Sequence, residues 1–117
     1  MINDPPIQDL ESVDIVAPRV NGIVELYIVA SGPLDASPQT QKLLLDKVQN
    51  YLEMIASPDF QAEFNNPPSE RVHIIVACEF RVDPVIRLLV ERSKQWVAQN
   101  GARIRLESDS ATPGMQP

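Results

Sequence analysis

The stretch RVHIIVACEFRVDP, residues 71–84, decides the fold. Its first ten residues are rich in β-branched and apolar side chains, which is the composition of a strand. Val72, Ile74, Val76, Cys78 and Phe80 fall on alternate positions, so one face of that strand is wholly apolar. Arg71, His73, Ile75, Ala77, Glu79 and Arg81 form the other, mixed face. Asp83-Pro84 then starts a helix, with a capping carboxylate followed by proline at the first helical position. A strand that feeds a helix is half of a strand–helix–strand unit, whose two strands run parallel with a right-handed crossover.

Downstream, Val85, Ile86, Leu89, Val90, Ser93, Trp96 and Val97 share one face of that helix. Asn100-Gly101 stops it, and ARIRLE (102–107) alternates as a half-buried strand does. Upstream, Val13–Ala17 reads as a short strand ended by Pro18, and the run IVELYIVA (23–30) as a long one. Asn21-Gly22 makes the pair a hairpin, with a loop longer than two residues because Pro18 comes early. Ser37-Pro38 opens a first long helix reaching about Ala56, with Leu44, Leu45, Val48, Tyr51, Leu52 and Ile55 on one stripe. Ser57-Pro58 repeats the start signal, predicting one short extra turn over Asp59–Phe64.

The order is β-β-α-β-α-β. It predicts an α/β (α+β) two-layer domain: a four-stranded mixed sheet with two long helices packed on one face. Strands two to four run parallel, the first lies antiparallel at their side, and the full strand order stays open. Residues 1–11 are expected as a flexible N-terminal arm, 12–107 as a single globular domain, and 108–117 as a flexible tail.

Composition narrows the function classes. A chain of 117 residues is one domain by size, able to bury roughly two-thirds of its unfolded surface. Its net charge is −6, from ten basic and sixteen acidic residues, with no basic–aromatic interleaving. That balance argues against nucleic acid, where phosphate contacts supply most of the affinity, and against an anionic membrane surface. No stretch approaches the ~18–20 apolar residues of a membrane span. MINDPPIQDLESVD lacks the basic and apolar regions of a secretory signal, and a single cysteine excludes an intrachain disulfide. The expectation is a cytoplasmic protein.

No catalytic set assembles. Gly22, Gly32, Gly101 and Gly114 lack the spacing of a phosphate loop. One histidine and one cysteine do not make a zinc site. His73 and Cys78 have opposite parity and stand about 16 Å apart along a strand, beyond reach of a nucleophile–base pair. Cys78 reads as a packing residue, and His73 as a solvated or ion-paired one. Glu25 and Glu79 read as members of a charge network with nearby arginines. No catalytic residue, metal site or cofactor is expected. Ser31 and Asp35, in the SGPLD loop at the carboxyl end of the second strand, are candidates for a ligand loop. Turn chemistry is the preferred account of both.

The sheet face away from the helices carries more information. It brings together Ile23, Tyr27, Val29, Ile75 and Ala77, rimmed by Glu25, Glu79, Arg71, Arg81, Arg103 and Arg105. An apolar centre with a charged rim is the anatomy of a contact surface, and parallel sheets are rarely bare on one side. The expected interface is Ile23, Tyr27, Val29, His73, Ile75, Ala77, Arg103 and Arg105, covered by a second copy. A tail folded over the face, or a solvated face with ion pairs, are the alternatives.

The segments SGPLDASPQTQKLLLDKVQNYLEMIAS, VHIIVACEFRVDP and NGARIRLE together resemble a family of small bacterial domains of unknown function. Leu34, Asp35, Leu43, Leu44, Leu45, Tyr51, Leu52, Ile55, Pro84 and Gly101 match its outline, over roughly residues 12–107. The chain departs from it at Gly32-Pro33 and Ala36, where the family outline has Asp-His and Trp. The resemblance implies a strand–helix–strand–helix–strand core and brings no activity, substrate or cofactor. The function expected is a non-catalytic interaction module that self-associates or binds a protein partner. The alternatives are a small-ligand regulatory domain with a pocket at the strand carboxyl ends and, further off, a small enzyme.

Overall fold

A computed structural model describes residues 6–8 and 13–108. The elements are β1 (Ile15–Pro18), β2 (Val24–Val29), α1 (Pro38–Ile55), α2 (Pro58–Glu63), a 3₁₀ turn (Ser69–Arg71), β3 (Val72–Cys78), α3 (Pro84–Gln99) and β4 (Arg103–Ser108). The sheet order is β1-β2-β3-β4, with β1 antiparallel to β2 and the other neighbours parallel. This is the expected four-stranded mixed sheet, with the strand order now fixed.

Every helix begins as its sequence dictates. Ser37 accepts from the Thr40 N–H at 3.1 Å, Ser57 from that of Phe60 at 3.2 Å, and Asp83 from that of Val85 at 2.9 Å. Each has proline in the next position. Each cap satisfies an amide that the helix leaves unpaired, worth about 1 kcal/mol. At the end of α3, Gly101 adopts φ +98°, the Ala102 N–H reaches the Val97 carbonyl at 3.2 Å and the Gly101 N–H that of Ala98 at 3.4 Å. That pair of bonds closes the helix with a left-handed residue, which is why glycine stands there.

Leu26, Ile28, Val72, Ile74, Val76, Ile86 and Val97 have no exposure, and the core they form lies between the sheet and the two long helices. The apolar face assigned to β3 holds through Cys78 and fails at Phe80, which is 44% exposed. The strand ends at Cys78 and the chain bends at Glu79 and Phe80, so alternation no longer governs the last residue. Beyond the bend, Val82 forms a parallel bridge with Leu34: the Leu34 N–H reaches the Arg81 carbonyl at 2.9 Å and the Asp83 N–H the Leu34 carbonyl at 2.8 Å. Those bonds tie together the loops that follow β2 and β3.

Most of the expected arm and tail falls outside the described residues. Ile7, however, is 1% exposed within the core. Pro6 and Gln8 beside it accept bonds from the Ser31 N–H at 2.9 Å and from Lys47 Nζ at 2.8 Å. The packed unit therefore includes chain N-terminal to residue 12.

Candidate interaction surface

The strand register arranges the face opposite the helices in rows. Glu25, His73 and Arg103 form one, Tyr27, Ile75 and Arg105 the next, and Val29, Ala77 and Glu107 a third. Ile15 continues the Tyr27 row onto β1, and Ala17 the Glu25 row.

Arg105 is the hub of the polar half. It meets Glu107 at 3.0 Å, Glu25 at 3.6 Å and His73 Nδ1 at 3.1 Å. Arginine has only donors, so Nδ1 accepts; Nε2 then carries the hydrogen it gives to the Glu70 carbonyl at 2.8 Å. Glu25 also takes a bond from Arg19 at 2.7 Å and one from the Tyr27 hydroxyl at 3.0 Å. The Arg19 bond, ahead of every other influence, holds the Glu25 carboxyl below its ordinary range, and the pair raises Arg19 in return. Glu70 and Arg103 stand 3.9 Å apart at the edge. A cavity of about 270 Å³, lined by Glu70, His73, Arg103, Ile104 and Arg105, opens beside them.

Ile75 is placed differently from the sequence expectation. It lies on this face but has no exposure. Tyr27 and Arg105 flank it in the register; the Tyr27 hydroxyl bonds Glu25 along β2, and Arg105 reaches Glu25 from β4, across β3. The apolar surface left open is Val29, 43% exposed, and Ile15, 50% exposed. Tyr27, Ala77 and Ile23 are half-buried, and Arg103 is exposed. Sequence reasoning missed Ile15, because the odd positions of the short first strand were not assigned to a face; its pairing with Tyr27 is the signal that finds it.

The candidate ligand loop uses its polar groups locally. Asp35 accepts from the Ser37 N–H at 3.1 Å and from its hydroxyl at 2.7 Å. Hydrogen bonds from Thr40 and Ser37 hold Asp35 below the ordinary carboxylate range. Ser31 hydrogen-bonds Gln8 at 3.1 Å. Cys78, 2% exposed, gives its thiol to the Gly32 and Phe80 carbonyls at 3.7 and 3.5 Å, and burial pushes that thiol up. It shares no site with His73.

One buried polar cluster was not read from the sequence. Lys47 is fully buried on α1 and binds Asp14 at 2.9 Å and the Gln8 carbonyl at 2.8 Å. The Tyr51 hydroxyl accepts from the Asp14 N–H at 2.9 Å and donates to the Tyr27 carbonyl, and burial raises that hydroxyl well above its ordinary value. The signal was present: Lys47 is a lone cation three residues after Leu44 and four before Tyr51, inside the apolar stripe. Among the described residues, no group of three or more His, Cys, Asp or Glu side chains is placed to hold a metal ion, and no helix is long and apolar enough to cross a membrane.

Neither the curated proteins nor the solved structures hold a match to this chain. A family model does match, described as a family of unknown function (DUF6572), over residues 6–110. That span takes in every element of the fold and the docked residues at its start, and the chain belongs to this family.

Proposed function

We propose that this protein is a non-catalytic interaction module that pairs with a second copy of itself through the open face of its sheet. The observation that carries the reading is charge. Ion pairs on and beside the face join Arg19, Arg103 and Arg105 to Glu25, Glu70 and Glu107, three residues of each sign, in a chain whose net charge is −6. Two copies repel over the rest of their surfaces and meet without repulsion here. Each network on one copy offers both signs to its twin, as a two-fold interface requires. Ile15 and Val29 supply the apolar contact beside it. The fixed internal partners of Asp35 favour this reading over a ligand loop at the strand carboxyl ends.

Light scattering on the purified chain tests it. A mass twice the 13.0 kDa of one chain is expected at micromolar concentration, returning to the single-chain mass in Ile15→Asp combined with Val29→Asp. A single-chain mass at every concentration overturns it.

A further inference from the structure

The outer edge of β1 and the groove beside it belong to no part of the face described above. The hairpin fixes which backbone groups reach that edge. The Arg19 N–H bonds the Ile23 carbonyl at 2.7 Å, the Gly22 N–H bonds the Arg19 carbonyl at 3.1 Å, and Gly22 has φ +86°. This is a three-residue loop closed by a glycine bulge. Arg19 and Ile23 are thus a hydrogen-bonded pair, and alternation makes Ala17–Glu25 and Ile15–Tyr27 hydrogen-bonded pairs as well. Val16 and Pro18 then direct their backbone groups outward. Pro18 fits that phase, since it has no N–H to lose from the ladder. Val16 presents both an N–H and a carbonyl to the edge.

The Val16 side chain points to the helix side, opposite fully buried Leu26, yet is 42% exposed. It looks into a groove of about 340 Å³ whose apolar lining is Val16, Met54, Phe60 and Phe64. The two phenylalanine rings pack at a centroid distance of 4.7 Å and form one wall. The polar lining is Ser57, Asp59 and Glu63, so two carboxylates and no basic residue border the opening.

We propose that this edge and groove bind an extended, basic–apolar peptide segment of another protein as a fifth strand. Main-chain bonds to Val16 supply the pairing, and the groove supplies selectivity. The peptide residue opposite Val16 shares its face and enters the groove, which calls for a bulky aliphatic side chain. Residues two positions away lie on the same face, about 7 Å along, where lysine or arginine meets Asp59 and Glu63. The net charge of −6 draws such a segment in and repels an acidic one. This site is independent of the pairing of two copies through the sheet face, which leaves the β1 edge open.

Fluorescence anisotropy with a labelled peptide of sequence Thr-Lys-Thr-Leu-Thr-Lys-Thr, titrated with the full chain, tests the proposal. Saturable binding is expected. N-methylation of the leucine amide, exchange of both lysines for glutamate, Val16→Pro and Glu63→Lys should each weaken binding by about tenfold or more, the equivalent of one hydrogen bond or close charge pair. Val16→Pro removes an outward amide and spares the β1–β2 ladder. Glu63→Lys lies on an exposed helix position and keeps the melting temperature, so it reports on binding even if the proline variant loosens the edge. No saturable signal overturns the proposal, as does binding that is indifferent to N-methylation or to Glu63→Lys. A dimer of the free chain that Glu63→Lys dissociates would also overturn it, because a second copy would then occupy the groove beside the edge.

Discussion

Asp14 and Lys47 stand 33 residues apart in the chain and 2.9 Å apart in the fold. Their bond fastens the start of the edge strand to the buried face of α1. The other Asp14 oxygen accepts from the Val29 N–H at 2.8 Å, so one carboxylate orders α1, β1 and β2 together. The two partners differ in environment: Lys47 has no side-chain exposure, whereas Asp14 keeps 21%. Asp14→Ala strands a buried ammonium and should cost about 3–5 kcal/mol. Lys47→Met leaves a partly hydrated carboxylate and fills the same space with an apolar chain, so its cost should be clearly smaller. Urea denaturation of both variants decides it, and equal losses would refute the asymmetry.

The full burial of Ile75 separates folding from association. Ile75→Asp places a carboxylate in a site with no exposure and should destabilise by about 2 kcal/mol or more, lowering the melting temperature steeply. Ile15→Asp, in the same row but half exposed, should change the melting temperature little and weaken self-association. A circular dichroism melt on each variant, with light scattering, distinguishes the two roles.

Glu25 gives the fold a defined acid limb. Its carboxyl titrates lower in the folded protein than the ordinary value of 4.5, chiefly through Arg19. A depressed carboxylate contributes stability that is fully present above the unfolded value and is lost as pH falls through the folded one. Stability should therefore decline as pH drops below about 4.5, and Glu25→Gln should flatten that part of the profile while lowering stability near neutrality. Denaturation midpoints measured from neutral to acid pH for both proteins test this; parallel curves would refute it.

Gly101 isolates backbone strain from packing. A methyl group there would meet Ile55 Cγ2 at 3.7 Å, an ordinary contact, so space does not forbid it. The φ of +98° does penalise it. Gly101→Ala should cost about 1 kcal/mol or slightly more, with the end of α3 losing amide-exchange protection first. Unchanged stability would show that the helix ends another way.

Much of this could be read in the amino-acid order alone. The Ser-Pro, Ser-Pro and Asp-Pro pairs place three helix starts, because caps and prolines act within one turn of chain. Alternation in 71–78 separates Cys78 from His73, because a pleat has a period of two wherever the strand persists. Phe80 marks where that rule ends: the chain bends, and local pattern has no authority past the bend.

What only the tertiary structure decided depends on partners brought from distant chain. Strand order came from the pairing of the strands, and Ile75, which alternation places on the open face, is fully buried between register neighbours Tyr27 and Arg105, both remote in sequence. The helical period places Lys47 inside the apolar stripe of α1, but only the fold brings Asp14 and the Gln8 carbonyl to its buried ammonium. Periodicity reports which way a side chain points; burial of a charge or exposure of an apolar group depends on what arrives from elsewhere to cover it.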